Sequence, residues 1–130
     1  MEVIKVTVDW LENYGAVSDS VPGCVATHKT IEGVKEAYLS ALKFHLDGLS
    51  DDEKPEQLKG EYELKFELTT RAILYELDGI LTRSTLSRVS GINEQQLRHY
   101  MSGHRKARAD KREKLTLAIN EITRKLNSLI

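Results

Sequence analysis

Hydrophobic and polar positions alternate with a period of two in some stretches of this chain and recur with a helical period in others. In residues 3–10, VIKVTVDW, Ile4, Val6, Val8 and Trp10 fall on one face and Lys5, Thr7 and Asp9 on the other, the β-branched alternation of a strand. Asn13-Tyr14-Gly15 marks a turn, and residues 14–18 read as a second strand. Val21-Pro22-Gly23 punctuates the chain again before the strand-like residues 24–28. Three short strands with tight turns predict an antiparallel meander. Thr30 follows as a helix N-cap. From there Ile31, Val34, Tyr38, Leu42, Leu46 and Leu49 recur at helical spacing, a stripe able to cover one face of a sheet, with Gly48 as the stop. Residues 50–60, SDDEKPEQLKG, read as a polar surface loop. Residues 62–68, YELKFEL, set Tyr62, Leu64, Phe66 and Leu68 against Glu63, Lys65 and Glu67, a half-buried strand and the fourth of the sheet. The first unit is β-β-β-α-β over residues 1–68.

From Thr69 onward the pattern is helical throughout. Apolar-periodic segments lie at residues 70–77, 82–90, 93–101 and 110–129, with Gly79, Gly91 and Gly103 between them. The expected fold class is therefore α+β: a small β-β-β-α-β domain over 1–68, then an all-α domain over 69–130.

The most informative stretch is residues 82–108, TRSTLSRVSGINEQQLRHYMSGHRKAR. Thr82 caps a helix that buries Leu86 and Val89. Gly91 follows, and Asn93 caps a second helix that buries Leu97 with Tyr100 or Met101. A tight helix–glycine–helix joint sets two helices at a steep angle and pushes the second one outward, which is the geometry of a helix-turn-helix that enters the DNA major groove. Glu94, Gln95, Gln96, Arg98 and His99 lie on or near the exposed face of that second helix. Gln pairs bidentately with adenine and Arg with guanine, and Glu accepts from cytosine N4. Behind the helix, residues 102–108 (Ser102, Gly103, His104, Arg105, Lys106, Ala107, Arg108) form a basic loop suited to phosphates.

Charge sharpens this division. The whole chain is nearly neutral at −1, yet residues 1–68 carry 7 Lys/Arg against 14 Asp/Glu, a net −7, and residues 69–130 carry 12 against 6, a net +6. The basic half suits a polyanion and the acidic half a basic protein. A length of 130 residues fits one ordinary domain or two small ones and excludes a large barrel enzyme. No window approaches the roughly 18 uninterrupted apolar residues of a membrane span. The N-terminal MEVIKVTVDWLE lacks the basic and apolar regions of a signal peptide, so a cytoplasmic location without membrane contact is expected. The single cysteine, Cys24, excludes an intramolecular disulfide and any zinc site with two thiolates from this chain. It reads as a packing residue. His28 and His45 read as surface or core histidines, and Asp9, Glu12 and Asp19 as acidic decoration. No metal site, cofactor or catalytic residue is expected, so the chain is not read as an enzyme; a residual nuclease is the remote alternative. Trp10 and Tyr14 fit a core or a partner anchor equally. In the last helix Leu115, Ala118, Ile119, Ile122, Leu126 and Leu129 continue beyond what one small domain needs. Ile122, Leu126 and Leu129 are therefore the expected seam of a homodimer or higher homo-oligomer.

Residues 86–97, Leu86-Ser87-Arg88-Val89-Ser90-Gly91-Ile92-Asn93-Glu94-Gln95-Gln96-Leu97, resemble the phage-repressor (Cro-like) helix-turn-helix pattern L-A-x-x-x-G-x-S-x-x-x-L. The main departures are Ser87 for the usual Ala and Ser90 for a common apolar residue. Carried over by position, the resemblance implies base reading by Glu94, Gln95, Gln96 and His99. It implies phosphate contact by Arg83, Ser102, His104 and Lys106; Arg105 and Arg108 join these from the basic loop. Residues 3–49, through Tyr14-Gly15-Ala16-Val17, Val21-Pro22-Gly23-Cys24 and the helix start from Thr30 to Ala37, resemble the HicB antitoxin family, with Gly33 standing where Glu is common. Together the resemblances imply an antitoxin of a type II toxin–antitoxin system. It would neutralise a HicA-type mRNA-cleaving toxin and repress its own operon by sequence-specific binding of double-stranded operator DNA. The alternative is a stand-alone transcriptional regulator whose N-terminal domain senses a small ligand or peptide.

Overall fold

The computed structural model describes all of residues 1–130. Its elements are β1 (Glu2–Trp10), β2 (Tyr14–Val17), β3 (Val25–His28), α1 (Ile31–Asp47), a 3-10 turn (Glu56–Leu58), β4 (Tyr62–Leu68), α2 (Thr70–Asp78), α3 (Arg83–Ser90), α4 (Glu94–Ser102) and α5 (Ala109–Ser128). The chain is mixed α+β and divides into two units, Met1–Thr69 and Thr70–Ile130. No helix is long and apolar enough to cross a membrane.

In the first unit the strands lie in the order β3-β2-β1-β4. β1–β2 and β2–β3 pair antiparallel, as a meander requires. β4 runs parallel to β1, in register from Glu2 opposite Tyr62 to Val8 opposite Leu68. A parallel neighbour needs a crossover, and α1 lies in it. This pairing aligns Leu64 with Ile4 and Phe66 with Val6, so one face of the sheet is apolar across all four strands. Ile4, Val6, Val8, Tyr14, Ala16 and Ala26 are buried there, as are Val34, Tyr38, Leu42 and Leu46 of α1. Tyr14 belongs to this core, and the Trp10 ring packs edge-on against it at 4.9 Å. The opposite face is polar beside β4, where Glu67 sits 3.2 Å from Lys5 and 3.6 Å from Lys65. The hydrogen bond from Lys5 holds the Glu67 carboxyl below the usual range. The 50–60 segment departs from a plain surface loop: its 3-10 turn buries Leu58, which packs near β1.

The connections follow residue chemistry. Val21-Pro22-Gly23-Cys24 closes with Cys24 N–H donating to the Val21 carbonyl and Gly23 at φ 84°, the position that favours glycine in a type II turn. The Tyr38 hydroxyl is buried with no oxygen or nitrogen partner, and the Cys24 side chain interacts with it. Burial pushes the pKa of both groups up, which keeps Cys24 a protonated packing residue. Asp9 is structural: its Oδ1 accepts from Thr69 Oγ1 at 2.6 Å and from Trp10 N–H at 2.8 Å. Thr30 caps α1, its hydroxyl accepting from Gly33 N–H at 2.9 Å. The His28 ring accepts from Thr30 N–H through Nδ1 and lies where a Cβ on residue 33 would sit.

In the second unit Leu74, Leu86, Ile92, Leu97, Tyr100, Ala107 and Leu115 form one buried cluster, with Ile119 and Ile122 packed partly against it. α4 packs on α2 and α3, and α5 on α3.

The position of His28 explains Gly33. Replacing a helical Gly by Ala ordinarily raises stability by about 0.5 kcal/mol, because the unfolded chain loses freedom. Here the new methyl displaces an anchored ring, so Gly33→Ala is expected to lower the urea midpoint. In a His28→Ala background the same change is expected to raise it. An increase in both backgrounds would show that the ring yields freely.

Candidate nucleic-acid interface

Two left-handed glycines define the geometry around α4. α3 ends at Gly91, φ 76°, whose N–H donates to the Ser87 carbonyl at 2.9 Å. The buried Ser90 hydroxyl accepts from Ile92 N–H at 3.1 Å. Serine at this position, where the repressor pattern commonly has an apolar residue, thus ties down the turn itself. Ile92 is buried, and Asn93 then caps α4, its Oδ1 accepting from Gln96 N–H at 2.9 Å. Thr82 caps α3 the same way through Thr85 N–H at 3.1 Å. Each cap satisfies an orphan donor of its helix and is worth about 1 kcal/mol.

α4 turns Leu97 and Tyr100 into the core. Its outer face carries Glu94 and Gln95, Arg98 one helical turn on and Ser102 a turn beyond that, all exposed. Gln96 and His99 flank this row and are half-buried. All six polar residues anticipated on α4 therefore lie on or beside a continuous polar strip, with Gln96 and His99 as its half-buried margins. Gly103, φ 80°, ends the helix and reverses the chain. Ser102 Oγ donates to the His99 carbonyl at 3.2 Å and accepts from His104 N–H at 3.3 Å, and Arg105 N–H donates to the same carbonyl at 3.2 Å. This tight cap folds His104 back until its ring lies 4.9 Å from that of His99, tilted by 58°. Partial desolvation, helped by the His104 ring and by the Arg105 and Arg98 guanidiniums, holds the His99 pKa below the usual range.

His104, Arg105, Lys106 and Arg108 are exposed in the loop that follows, and Ala107 between them is buried. One anchored methyl thus holds three flexible cations at the surface beside α4. Arg83 opens α3 and is half-buried. Arg71 was not evident from sequence. It comes from α2, and its guanidinium lies where a Cβ on Gly103 would be, adding a cation at the C-terminal end of α4. Only the packing of α2 on α4 reveals it, since no local pattern links residues 71 and 103.

The anticipated seam on α5 divides in two. Ile122 is half-buried against the unit's own core, which it helps to cover, so it is not wholly available to a partner. Leu126 and Leu129 are 55% and 70% exposed. All residues from 123 to 130 are exposed, so the last two turns of α5 stand clear of the core. The first unit has two shallow depressions. One, about 620 Å³, is lined by Asp9, Leu11, Glu12, Asn13, Gly15 and Thr27. The other, about 410 Å³, includes Cys24, Phe44 and His45. No three His, Cys, Asp or Glu side chains converge as metal ligands.

No protein-family model, curated protein or solved structure matches the chain.

The geometry at the two glycines sets a stability test. Gly91→Ala adds a Cβ in open space, so its cost is the left-handed strain alone, about 1–2 kcal/mol. Gly103→Ala adds the displacement of Arg71 and should cost at least as much. Chemical denaturation checks both, and wild-type stability for Gly91→Ala would mean that the turn relaxes into another conformation.

Proposed function

We propose that this chain is a DNA-binding antitoxin and autorepressor. In this reading α3 and α4 act as a helix-turn-helix on double-stranded operator DNA. The observation that carries it is the α3–Gly91–α4 joint, which presents a strip of Gln, Arg and Glu side chains beside a basic loop pinned by Ala107. Gln95, Gln96, Arg98, Glu94 and His99 read base edges. Arg83, Ser102, His104, Arg105, Lys106 and Arg108 hold phosphates. Their counterion release supplies the sequence-independent part of affinity. The first unit, with the β-β-β-α-β order of a HicB-like domain and a net charge of −7, takes a basic HicA-type toxin. The protein works by binding in the cytoplasm, without catalysis or cofactor.

One helix-turn-helix reads few base pairs, and two-fold pairing across half-sites about one helical turn apart extends the site. The spacing of Leu115, Ile119, Ile122, Leu126 and Leu129 alternates four and three residues, as in a coiled-coil seam. The projecting end of α5 therefore supports a homodimer. A second reading, a stand-alone regulator that senses a small ligand in its first unit, draws on the depression beside Cys24 and His45.

Base readers and phosphate holders should fail differently. On a duplex selected in vitro with the full chain, Gln95→Ala should cost about 1–3 kcal/mol, and on random DNA almost nothing. Lys106→Ala should weaken both and lower the slope of log affinity against log salt by about one. Equal losses on both duplexes for Gln95→Ala would remove α4 from base reading. For assembly, Leu126→Glu places a charge in the exposed seam without touching the core, so sedimentation should show a shift from dimer to monomer with the helical circular dichroism retained. An unchanged dimer would take α5 out of the interface.

A further inference from the structure

The histidine pair at the end of α4 has a use that base reading alone does not require. We propose that His99 and His104 form a proton-operated contact, so that acidification tightens the protein's grip on DNA. This inference rests on the DNA-binding reading of α4 and adds regulation to that same site.

The pairing follows from the turn. Gly103 in the left-handed region, with the Ser102 and Arg105 hydrogen bonds to the His99 carbonyl, fixes the two rings 4.9 Å apart on the side that carries the basic loop. The neighbours acting on His99 all disfavour a proton there: His104, Arg105 and Arg98. Of the elements packed on α4, α2 carries Arg71, Tyr75, Glu76 and Asp78, and α3 carries Arg83 and Arg88. Among these Arg71 reaches the α4 terminus at Gly103. The free protein therefore resists a proton on His99, and resists it more once His104 holds one. Desolvation and these neighbours hold the His99 pKa below the usual range.

DNA reverses this balance. Phosphates brought against the loop supply negative charge, and a protonated imidazole gains a second donor. The bound state then has the higher pKa, so binding takes up protons. By linkage, affinity rises as pH falls through the interval between the two pKa values, by at most about tenfold per pH unit for each proton taken up. The effect is largest below the ordinary histidine range and vanishes in mildly alkaline solution.

The test uses the full chain and two duplexes of about 30 base pairs, one selected in vitro and one of random sequence, between about pH 8 and pH 5.5 at constant salt. Wild-type affinity for both should rise several-fold to a hundredfold across that range, because phosphate contact is independent of sequence. His99→Gln/His104→Gln keeps hydrogen-bonding side chains that take no charge. Whatever affinity it keeps at the alkaline end, it should lose most of the rise. His28→Gln and His45→Gln, in the acidic unit, should keep it. Nuclear magnetic resonance titration of the His99 ring should give a lower pKa in the free protein than in the complex. Affinity that is flat with pH, or a rise that survives in the double variant, overturns the proposal while leaving DNA binding intact. Absence of binding to either duplex at every pH overturns the DNA-binding reading as well.

Discussion

At Gly91 the backbone enters a region that costs a residue with a side chain about 1–2 kcal/mol, and the arrangement of the second unit depends on that one reversal. It ends α3 after two turns and hands the chain to Asn93 two residues later. Between the helices there is room only for Ile92, which goes into the core. The Ser90 hydroxyl and the Asn93 side chain take the backbone N–H groups that the turn would otherwise leave bare. Because Leu86, Ile92 and Leu97 share one core around this turn, the face of α4 turned outward follows from where the glycine stands. The polar strip consists of the residues that remain once Leu97 and Tyr100 are committed inward.

The same economy shapes the loop after α4. Gly103 repeats the left-handed stop, and Ala107 repeats the single apolar anchor. Cations on long side chains have high rotamer entropy and hold no position by themselves. Attaching them to a turn that is fixed at both ends leaves the chain ordered while the charged tips stay mobile, a suitable arrangement for meeting a flexible polyanion.

Much of this was legible in the sequence because it is local. Alternation in residues 3–10 and 62–68 marked β1 and β4, and the stripe from Val34 to Leu46 marked the covered face of α1. Thr30, Thr82 and Asn93 announced their helices by chemistry that acts over three residues. What escaped depends on how the chain folds back on itself. The parallel pairing of β1 with β4 leaves no trace in either strand's own pattern, since the alternation is the same for either direction. Arg71 reaches Gly103 only after α2 has packed on α4. The fit of His28 over Gly33 joins two elements across a turn, and the meeting of the His99 and His104 rings needs the φ of Gly103. The seam was half legible: helical spacing flagged Ile122, but spacing alone does not say how far a domain's own core extends along its last helix.

The pairing of β1 with β4 also governs the order of events during synthesis. β1 is flanked by β2, available almost at once, and by β4, which pairs residue for residue at a distance of 60 positions. Until residue 68 has emerged, the central strand has one open edge, and its apolar face is only partly covered by α1. Closing so long a loop is the slow, entropically opposed step of a fold like this. The nascent first half therefore waits, hairpin and helix assembled, for its last strand. A stall in translation between residues 28 and 62 would leave the β1 backbone edge unpaired and the Ile4-Val6-Val8 face partly bare to whatever chains lie nearby.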